Sequence, residues 1–566
     1  MVVVAVAGVA AIAGDNRGYL LGRRLGRRVL AREGRWQRHR RALLQRGDRF
    51  FARHGAKAVF IGRWPPVARV TSAWLAGASH MPWRTFAAFN GLGGIAWAAS
   101  VGGAAYALGA SGARVLAAAG AIALATVIAV IVLSSAVGAP PRRRSRRPPR
   151  SPPEALMSLA DAVILGGART PIGRYGGALS HIRTDDLLGI ALTAACECAG
   201  VAPGDVQEIA AGAVNVAHEG MGDVARWAAL AAGFPDTVPA YTVNRFCASS
   251  LTATINVANS IAVGELELGI AAGVESMSRS GWALMKGEEA FSPRGPVFML
   301  DTMWAGAGGP PNPRLLAREA YMEMIHTAQK LATTYEIPRE EIDAFALRSH
   351  QRAAAARDSG RLAKEIAAVE IPGSRKQPAW TFEHDEGIRD DTTLERLAKL
   401  SPQPGTEVMT AGNSSQLSDG ASAVVLASGE RAKGLGRAPL ARVVASASVG
   451  VDPTIMGVAP AYAMPRAIAK AGLAPADIDV YEVHEAFAAQ VLAVLREFGT
   501  QTGYAIPDEK LNPNGGAVAL GHPFGDSGTR CVLTLATELA ERGARYGCLG
   551  ICVGSGQGVA IVLERI

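Results

Sequence analysis

Asn244-Arg245-Phe246-Cys247-Ala248-Ser249-Ser250-Leu251 sets one thiol among small residues and runs straight into TATINVANSIAVG, residues 252–264. That second run is apolar with small polar interruptions and reads as a buried helix. A thiol at a helix N-terminus lies at the positive end of the macrodipole, which favours thiolate and makes a nucleophile. The competing account is that free cysteine is among the most buried residue types and packs as a small hydrophobe. Cys247 by itself does not separate the two.

Outward from this stretch the chain alternates short β-branched or apolar runs with alanine-rich helical ones. AVILGGART, EIAAGAV, ELGIAAGV, AVVLAS, ARVVASASV, DVYEV and GCLGICVGSGQGVAIVLE read as buried strands; TDDLLGIALTAACECAG reads as a helix between two of them. The class is a layered α/β protein. In each half a strand and helix lead to a turn rich in chemistry, and a polar insertion from about 279 to 400 separates the halves. LLAREAYMEMIHTAQKLATTYEI and REEIDAFALRSHQRAAAARDSG are expected as its two helices, and its role as a lid or ligand-binding subdomain.

Three further stretches carry reactive side chains. In NPNGGAVALGHPFGDSGTR, His522 sits in a glycine-dense loop before an apolar helix, and histidine is the side chain best suited to take a proton near neutral pH. In GICVGSGQGVAIVL, Cys552 ends a buried strand and Gly554, Gly556 and Gly558 follow it. In EVHEAFAAQ, His484 and Glu485 stand at a strand-to-helix junction. Each has a plain structural account as a loop histidine, a packed thiol and a helix cap.

Together the four stretches resemble the thiolase family. The likeness extends through ARTPIGRYGGALS (Ala168–Ser180), GVESMSR (Gly273–Arg279), NSSQLSDGASA (Asn413–Ala423), HEAF and CVGSGQG, and so spans residues 157–566, with Met157-Ser158 as an enzyme start. The resemblance implies an α-β-α-β-α core of two similar halves, 157–278 with 401–430 and 431–566, around the inserted loop domain 279–400. It implies acyl transfer between a 3-oxoacyl-CoA and coenzyme A, with Cys247 as acyl carrier, His522 as its base, Cys552 as the second acid/base and His484 beside them. One oxyanion hole falls to the N–H groups of Cys247 and Gly554, the other to His522 with His484. The HEAF form hints at fatty-acid degradation. YMEMIHTAQ departs from the family's Met-Gly-x-Thr-Ala-Glu, with Ile325 and Gln329 at the changed places. No metal and no permanently bound cofactor are implied; coenzyme A is a substrate, and the family forms homodimers or homotetramers.

The first 156 residues are of another kind. They hold 24 Lys+Arg against 4 Asp+Glu, leaving 34 against 45 for the rest. The arginines alternate with long uncharged stretches rather than with stacking aromatics, which favours a membrane and not nucleic acid as partner. Residues 85–110 and 115–137 are each long enough to span a bilayer, and two crossings return both arginine blocks to the cytoplasmic face. GDNRGYLLGRRLG (Gly14–Gly26), FFARHG, GRWPPVAR (Gly62–Arg69), LAGASHM and FNGLGGIAW are similar to the DedA membrane family. That resemblance singles out Asp15, Arg63 and Arg69 for lipid or proton-coupled transport, in a domain of residues 1–137 that starts later than a DedA protein does. Residues 138–156, rich in Pro and Arg, form an extended linker. Six cysteines without a disulfide pattern place the enzyme part in a reducing compartment, the cytoplasm, tethered to the membrane. A second reading makes the chain a DedA-type lipid transporter whose soluble part is a sensor or scaffold.

Overall fold

The structure is a computed structural model that describes residues 81–96 and 160–566, apart from 216, 221, 285–298, 303–311, 319, 374, 376 and 377, with isolated positions 15, 16, 19, 20, 23, 59 and 76. The chain divides into two units, Met1–Ser151 and Pro152–Ile566.

In the first unit residues 83–96 are helical. Tyr19 stacks on Phe86 with ring centroids 4.4 Å apart and donates its hydroxyl to the Met81 carbonyl, while Arg23 Nη1 donates to the Tyr19 hydroxyl at 2.7 Å. Among the described residues no helix is long and apolar enough to cross a membrane. Most of the two expected spans, Arg63, Arg69 and the linker lie outside the described residues; Asp15 lies within them.

The second unit is built on nine strands: β1 (Ala162–Arg169), β2 (Ile209–Gly212), β3 (Ala240–Val243), β4 (Leu268–Ser276), β5 (Ser418–Ser428), β6 (Ala441–Gly450), β7 (Val480–Val483), β8 (Tyr546–Val553) and β9 (Gln557–Glu564). Their order is β7-β8-β9-β6-β1-β5-β4-β2-β3, and the two-residue strand Gly173–Arg174 pairs with β5 as a tenth. The pairing repeats. From β1 outward it runs antiparallel to β5, antiparallel to β4 and then parallel to β2; from β6 it runs antiparallel to β9, antiparallel to β8 and then parallel to β7. The repetition expected of two similar halves is therefore present, joined where Val163 and Ile164 pair with Arg442 and Ala441.

Helices α1 (Thr184–Ala199) and α2 (Val224–Ala231) cover the outer face of the first half, and α6 (Pro460–Lys470) and α7 (Ala488–Thr502) that of the second. Between the halves lie α3 (Ser249–Ala262) and α8 (Ser527–Arg542), whose Leu251, Val257, Ile261, Val532 and Leu535 pack with Ile164, Leu426, Ile551 and Ile561 of the sheet. The layer order α-β-α-β-α follows. Small residues make the central layer possible: a Cβ on Gly528 in α8 would stand 2.2 Å from the Leu251 nitrogen in α3.

Three expectations change. The run 315–337 is not one helix: Pro313–Ala317 ends early and α4 begins only at Met324, running to Thr334. The other insertion helix, α5 (Arg339–Asp358), forms as expected, beside two small hairpins, Trp282–Leu284 with Met299–Asp301 and Val369–Ile371 with Trp380–Phe382. GCLGICVGSGQGVAIVLE is two strands, folded back at 554–556, where Gly556 has φ +80° and a Cβ would meet the Val451 carbonyl at 2.4 Å. β3 was not expected; all four of its residues are only half-buried.

The insertion is fastened to the core by buried charge. Arg169 at the end of β1 donates Nε to Glu365 at 2.9 Å and both terminal nitrogens to Asp385 at 2.7 and 2.9 Å. Arg361 reaches Glu538 on α8 at 3.0 Å.

Candidate active site

α3 and α8 present their N-termini side by side, and one hydroxyl ties them. Ser250 Oγ donates to the Asp526 carbonyl at 2.9 Å and accepts from the Thr529 N–H at 2.9 Å. The loop before α3 carries Cys247 and the loop before α8 carries His522, so sequence positions 275 apart become neighbouring loops. Asn244 shapes the first loop: its side chain accepts from the Phe246 N–H at 3.0 Å and donates to the Val214 carbonyl at 3.1 Å, and Phe246 takes φ 45° just before the thiol. Glu275 on β4, buried, accepts from the N–H groups of Val214, Asn215 and Gly525 at 3.0, 2.9 and 2.9 Å, tying the His522 loop to the segment after β2 on which Asn244 rests. Burial pushes its carboxyl up to about 7, against those three hydrogen bonds.

Cys247 is half-buried, and Cys552 at the end of β8 is wholly buried. The backbone N–H groups of Gly554 and of Cys247 itself favour the anion at the Cys247 sulfur. Burial nevertheless outweighs those donors and raises the thiol to about 11. Against the expectation drawn from the helix end, burial is the largest influence on Cys247 and pushes its thiol up, so the resting group is the thiol. Cys552 is raised further, by burial first and by the charge of Cys247 second.

His522 is 3% exposed and His484 1%. The His522 backbone N–H donates to the Gln416 carbonyl at 3.1 Å, and Gly521, at φ +112°, brings the loop so close that a Cβ would stand 2.2 Å from Ser418 Oγ. His522 Nδ1 lies 2.6 Å from Ser527 Oγ and 3.1 Å from His484 Nε2. Its Nε2 is buried and has no hydrogen-bond partner among the described residues. Ser527 Oγ donates to the Pro523 carbonyl at 2.9 Å, so its lone pair faces His522 and the Nδ1 there carries the hydrogen. His522 Nε2 is then the unprotonated nitrogen, the state a base needs. Burial, and secondarily Arg530, hold His522 down to about 3, and burial, His522 and Arg530 hold His484 well below its ordinary value, so both rings rest neutral.

His484 does not stand as a free donor next to His522 Nε2. Its own Nε2 faces His522 Nδ1, and its Nδ1 lies 3.8 Å from Cys531 Sγ. The expected pairing of His484 with His522 as two donors to one oxyanion is therefore corrected to His522 Nε2 with His484 behind it. Ser527 and Cys531 were missed in the sequence: Ser527 had a signal, as the hydroxyl ending GHPFGDS at the start of α8, whereas Cys531 reads as one more apolar position of that helix. Glu485, beside His484, turns away to Ser349 Oγ at 2.6 Å and Asn512 Nδ2 at 2.8 Å. Met324 and Phe246 flank Gly554, each within 4 Å of the position of a Cβ there, which puts the start of α4 at the thiol. No cluster of His, Cys, Asp or Glu that could hold a metal ion occurs among the described residues.

Both parts of the chain are similar to known proteins. Residues 162–430 match the thiolase N-terminal domain and 437–565 the thiolase C-terminal domain, while 1–107 match the VTT domain, in line with the DedA resemblance. The chain is 44% identical over 410 residues to a beta-ketoadipyl-CoA thiolase of Pseudomonas putida, covering 72% of this chain and 100% of that one. It is 43% identical over 419 residues to a 3-oxoadipyl-CoA/3-oxo-5,6-dehydrosuberyl-CoA thiolase of Escherichia coli, with the same coverage. Among solved structures, the acetyl-CoA acetyltransferase of Bacillus anthracis aligns with a TM-score of 0.66 at 39% identity, over 72% of this chain and all of that one.

Proposed function

The chain belongs to the thiolase family, and from that premise we propose that it cleaves 3-oxoacyl-CoA with coenzyme A through an acyl group carried on Cys247. The observation that carries the assignment is the pair of helix N-termini tied by Ser250 to Asp526 and Thr529, which brings the Cys247 and His522 loops together, with His522 Nε2 buried and without a hydrogen-bond partner among the described residues.

His522 Nε2 takes the proton of the Cys247 thiol as the sulfur attacks the 3-keto carbon. The carbonyl oxygen becomes an oxyanion, and each preorganised donor to such an anion is worth roughly 2.7–4 kcal/mol. Collapse breaks the C2–C3 bond, leaving an acyl-Cys247 thioester and the enolate of acetyl-CoA. Cys552 protonates the enolate carbon and becomes a thiolate. It then takes the thiol proton of incoming CoA, whose sulfur attacks the acyl-Cys247 carbonyl; the Cys247 thiolate leaves and recovers its proton from His522. Both cysteines end as they began. The reverse direction is a Claisen condensation through the same groups.

For the substrate, the names of the relatives support a 3-oxoacyl chain ending in a second carboxylate, beta-ketoadipyl-CoA first. Fatty-acid degradation, suggested by HEAF, is the alternative. The VTT match and the arginine excess support a membrane association of residues 1–107, which would hold the enzyme at the cytoplasmic face. The test is thiolysis of beta-ketoadipyl-CoA, acetoacetyl-CoA and a long straight-chain 3-oxoacyl-CoA by the full-length chain and by Cys247→Ala. Cleavage is expected to vanish in the variant, with kcat/KM highest for beta-ketoadipyl-CoA. Unchanged turnover in Cys247→Ala overturns the mechanism; a preference for the long straight chain overturns the substrate assignment alone.

A further inference from the structure

We propose that His484 and Cys531 are positioning residues that make His522 one half of a proton-sharing pair, so that the proton drawn from Cys247 is held across two imidazoles rather than on one. The inference rests on the reading that Cys247 is the nucleophile and His522 its base.

Many catalytic histidines are backed by a carboxylate that stabilises the imidazolium. Here, among the described residues, no carboxylate hydrogen-bonds either ring; the place behind His522 Nδ1 is taken by Ser527 Oγ and His484 Nε2. The two rings lie 4.2 Å apart between centroids at 60°. The charged side chain acting on both is Arg530 of α8, which disfavours a positive charge there. Its guanidinium is 1% exposed and none of its three nitrogens has a hydrogen-bond partner among the described residues, with Glu482 of β7 at 3.5 Å. A lone imidazolium at His522 is therefore costly, and spreading its charge over a second ring offsets part of that cost.

The hydrogen positions allow it. Ser527 is committed to the Pro523 carbonyl, so His522 Nδ1–H is shared between Ser527 Oγ and the lone pair of His484 Nε2. His484 then carries its hydrogen on Nδ1, facing the Cys531 sulfur at 3.8 Å. Burial first, despite Arg530, keeps Cys531 a thiol, and a thiol sulfur is a weak acceptor for that N–H. When the Cys247 proton reaches His522 Nε2, the Nδ1 proton moves toward His484 Nε2. His522 keeps Nε2–H as a donor to the oxyanion while the positive charge is shared between the two rings. No proton is gained or lost by the pair beyond the one Cys247 gives.

The experiment separates proton sharing from hydrogen bonding. His484→Asn leaves an amide oxygen that accepts from His522 Nδ1–H but cannot take its proton. With the full-length chain, the rate of Cys247 alkylation by iodoacetamide is followed by peptide mass spectrometry between about pH 5 and 8, with exposed Cys198 as internal reference. His484→Asn is expected to slow Cys247 alkylation at neutral pH about tenfold, one pKa unit of lost basicity, with Cys198 unchanged. Cys531→Val is expected to slow it less, and Cys531→Ser to restore it. A wild-type rate and pH profile in His484→Asn overturns the proposal, as does an equal slowing of Cys247 and Cys198. Should His484→Asn not fold, equal rates in Cys531→Val and Cys531→Ser overturn it. Alkylation needs no turnover, so this outcome is independent of Cys247→Ala thiolysis, which judges the mechanism itself.

Discussion

Gly528→Ala is expected to separate nucleophile from base without unfolding the protein. Gly528 is the second residue of α8, six positions after His522, and it crosses α3 at Leu251, four positions after Cys247. A Cβ at 528 would lie 2.2 Å from the Leu251 nitrogen, whereas ordinary contact begins at 3.4 Å, so the helices must part by 1.2 Å. The obstacle is backbone, and no rotamer relieves it. Overpacking of this kind costs about 1–3 kcal/mol, which a unit of this size survives. Catalysis is more sensitive, because a displacement of about 1 Å between reacting groups costs on the order of a hundredfold in rate. The assay is kcat for thiolysis together with thermal unfolding, and Gly434→Ala, whose Cβ meets nothing within 4 Å, serves as control. A kcat within threefold of wild type, beside a measurable loss of stability, would refute the claim that this crossing sets the distance between the two loops.

Three other perturbations follow from the same geometry. Arg169→Met leaves Asp385 buried without its ion-pair partner and Glu365 with Arg361 alone, and should cost about 3–5 kcal/mol in urea unfolding; a loss below 1 kcal/mol contradicts the anchoring role. His350, buried on α5, accepts from the Arg389 N–H at 3.2 Å and is held down to about 4 by burial first and Arg389 second. The unfolded chain therefore binds the extra proton between its ordinary 6.5 and 4, so stability is level above that window and falls as pH drops through it. His350→Gln should flatten the fall by roughly 3 kcal/mol, and an unchanged pH slope counts against it. Cys552→Ala should lower turnover about 10²–10⁴-fold while Cys247 still alkylates at the wild-type rate; loss of both would mean a collapsed site.

Much of this was legible because the chemistry sits where the chain changes from strand to helix. His484 follows β7, Cys552 ends β8, and His522 and Cys247 precede α8 and α3, all in glycine-rich or small-residue stretches that mark such junctions. What depended on tertiary surroundings was not legible. The macrodipole argued for a thiolate at Cys247, but burial, which no local stretch displays, sets the balance the other way. The insertion helix does not run on from Leu315: α4 starts only at Met324, whose sulfur packs beside Gly554, although Arg318 and Glu323 favour helix, since propensity is a weak prior against tertiary contacts. The partner of His484 on α8 lies 47 positions away, and its identity as Cys531 appears only once β7 and α8 pack together.

The most direct measurement is to mix the full-length chain with beta-ketoadipyl-CoA in the absence of free CoA, quench, and locate the acyl group by peptide mass spectrometry. The account predicts one acetyl-CoA released per chain and the shortened acyl group on the peptide containing Cys247. Acylation at Cys552 or any other residue, or turnover without a trapped acyl group on Cys247, would contradict it.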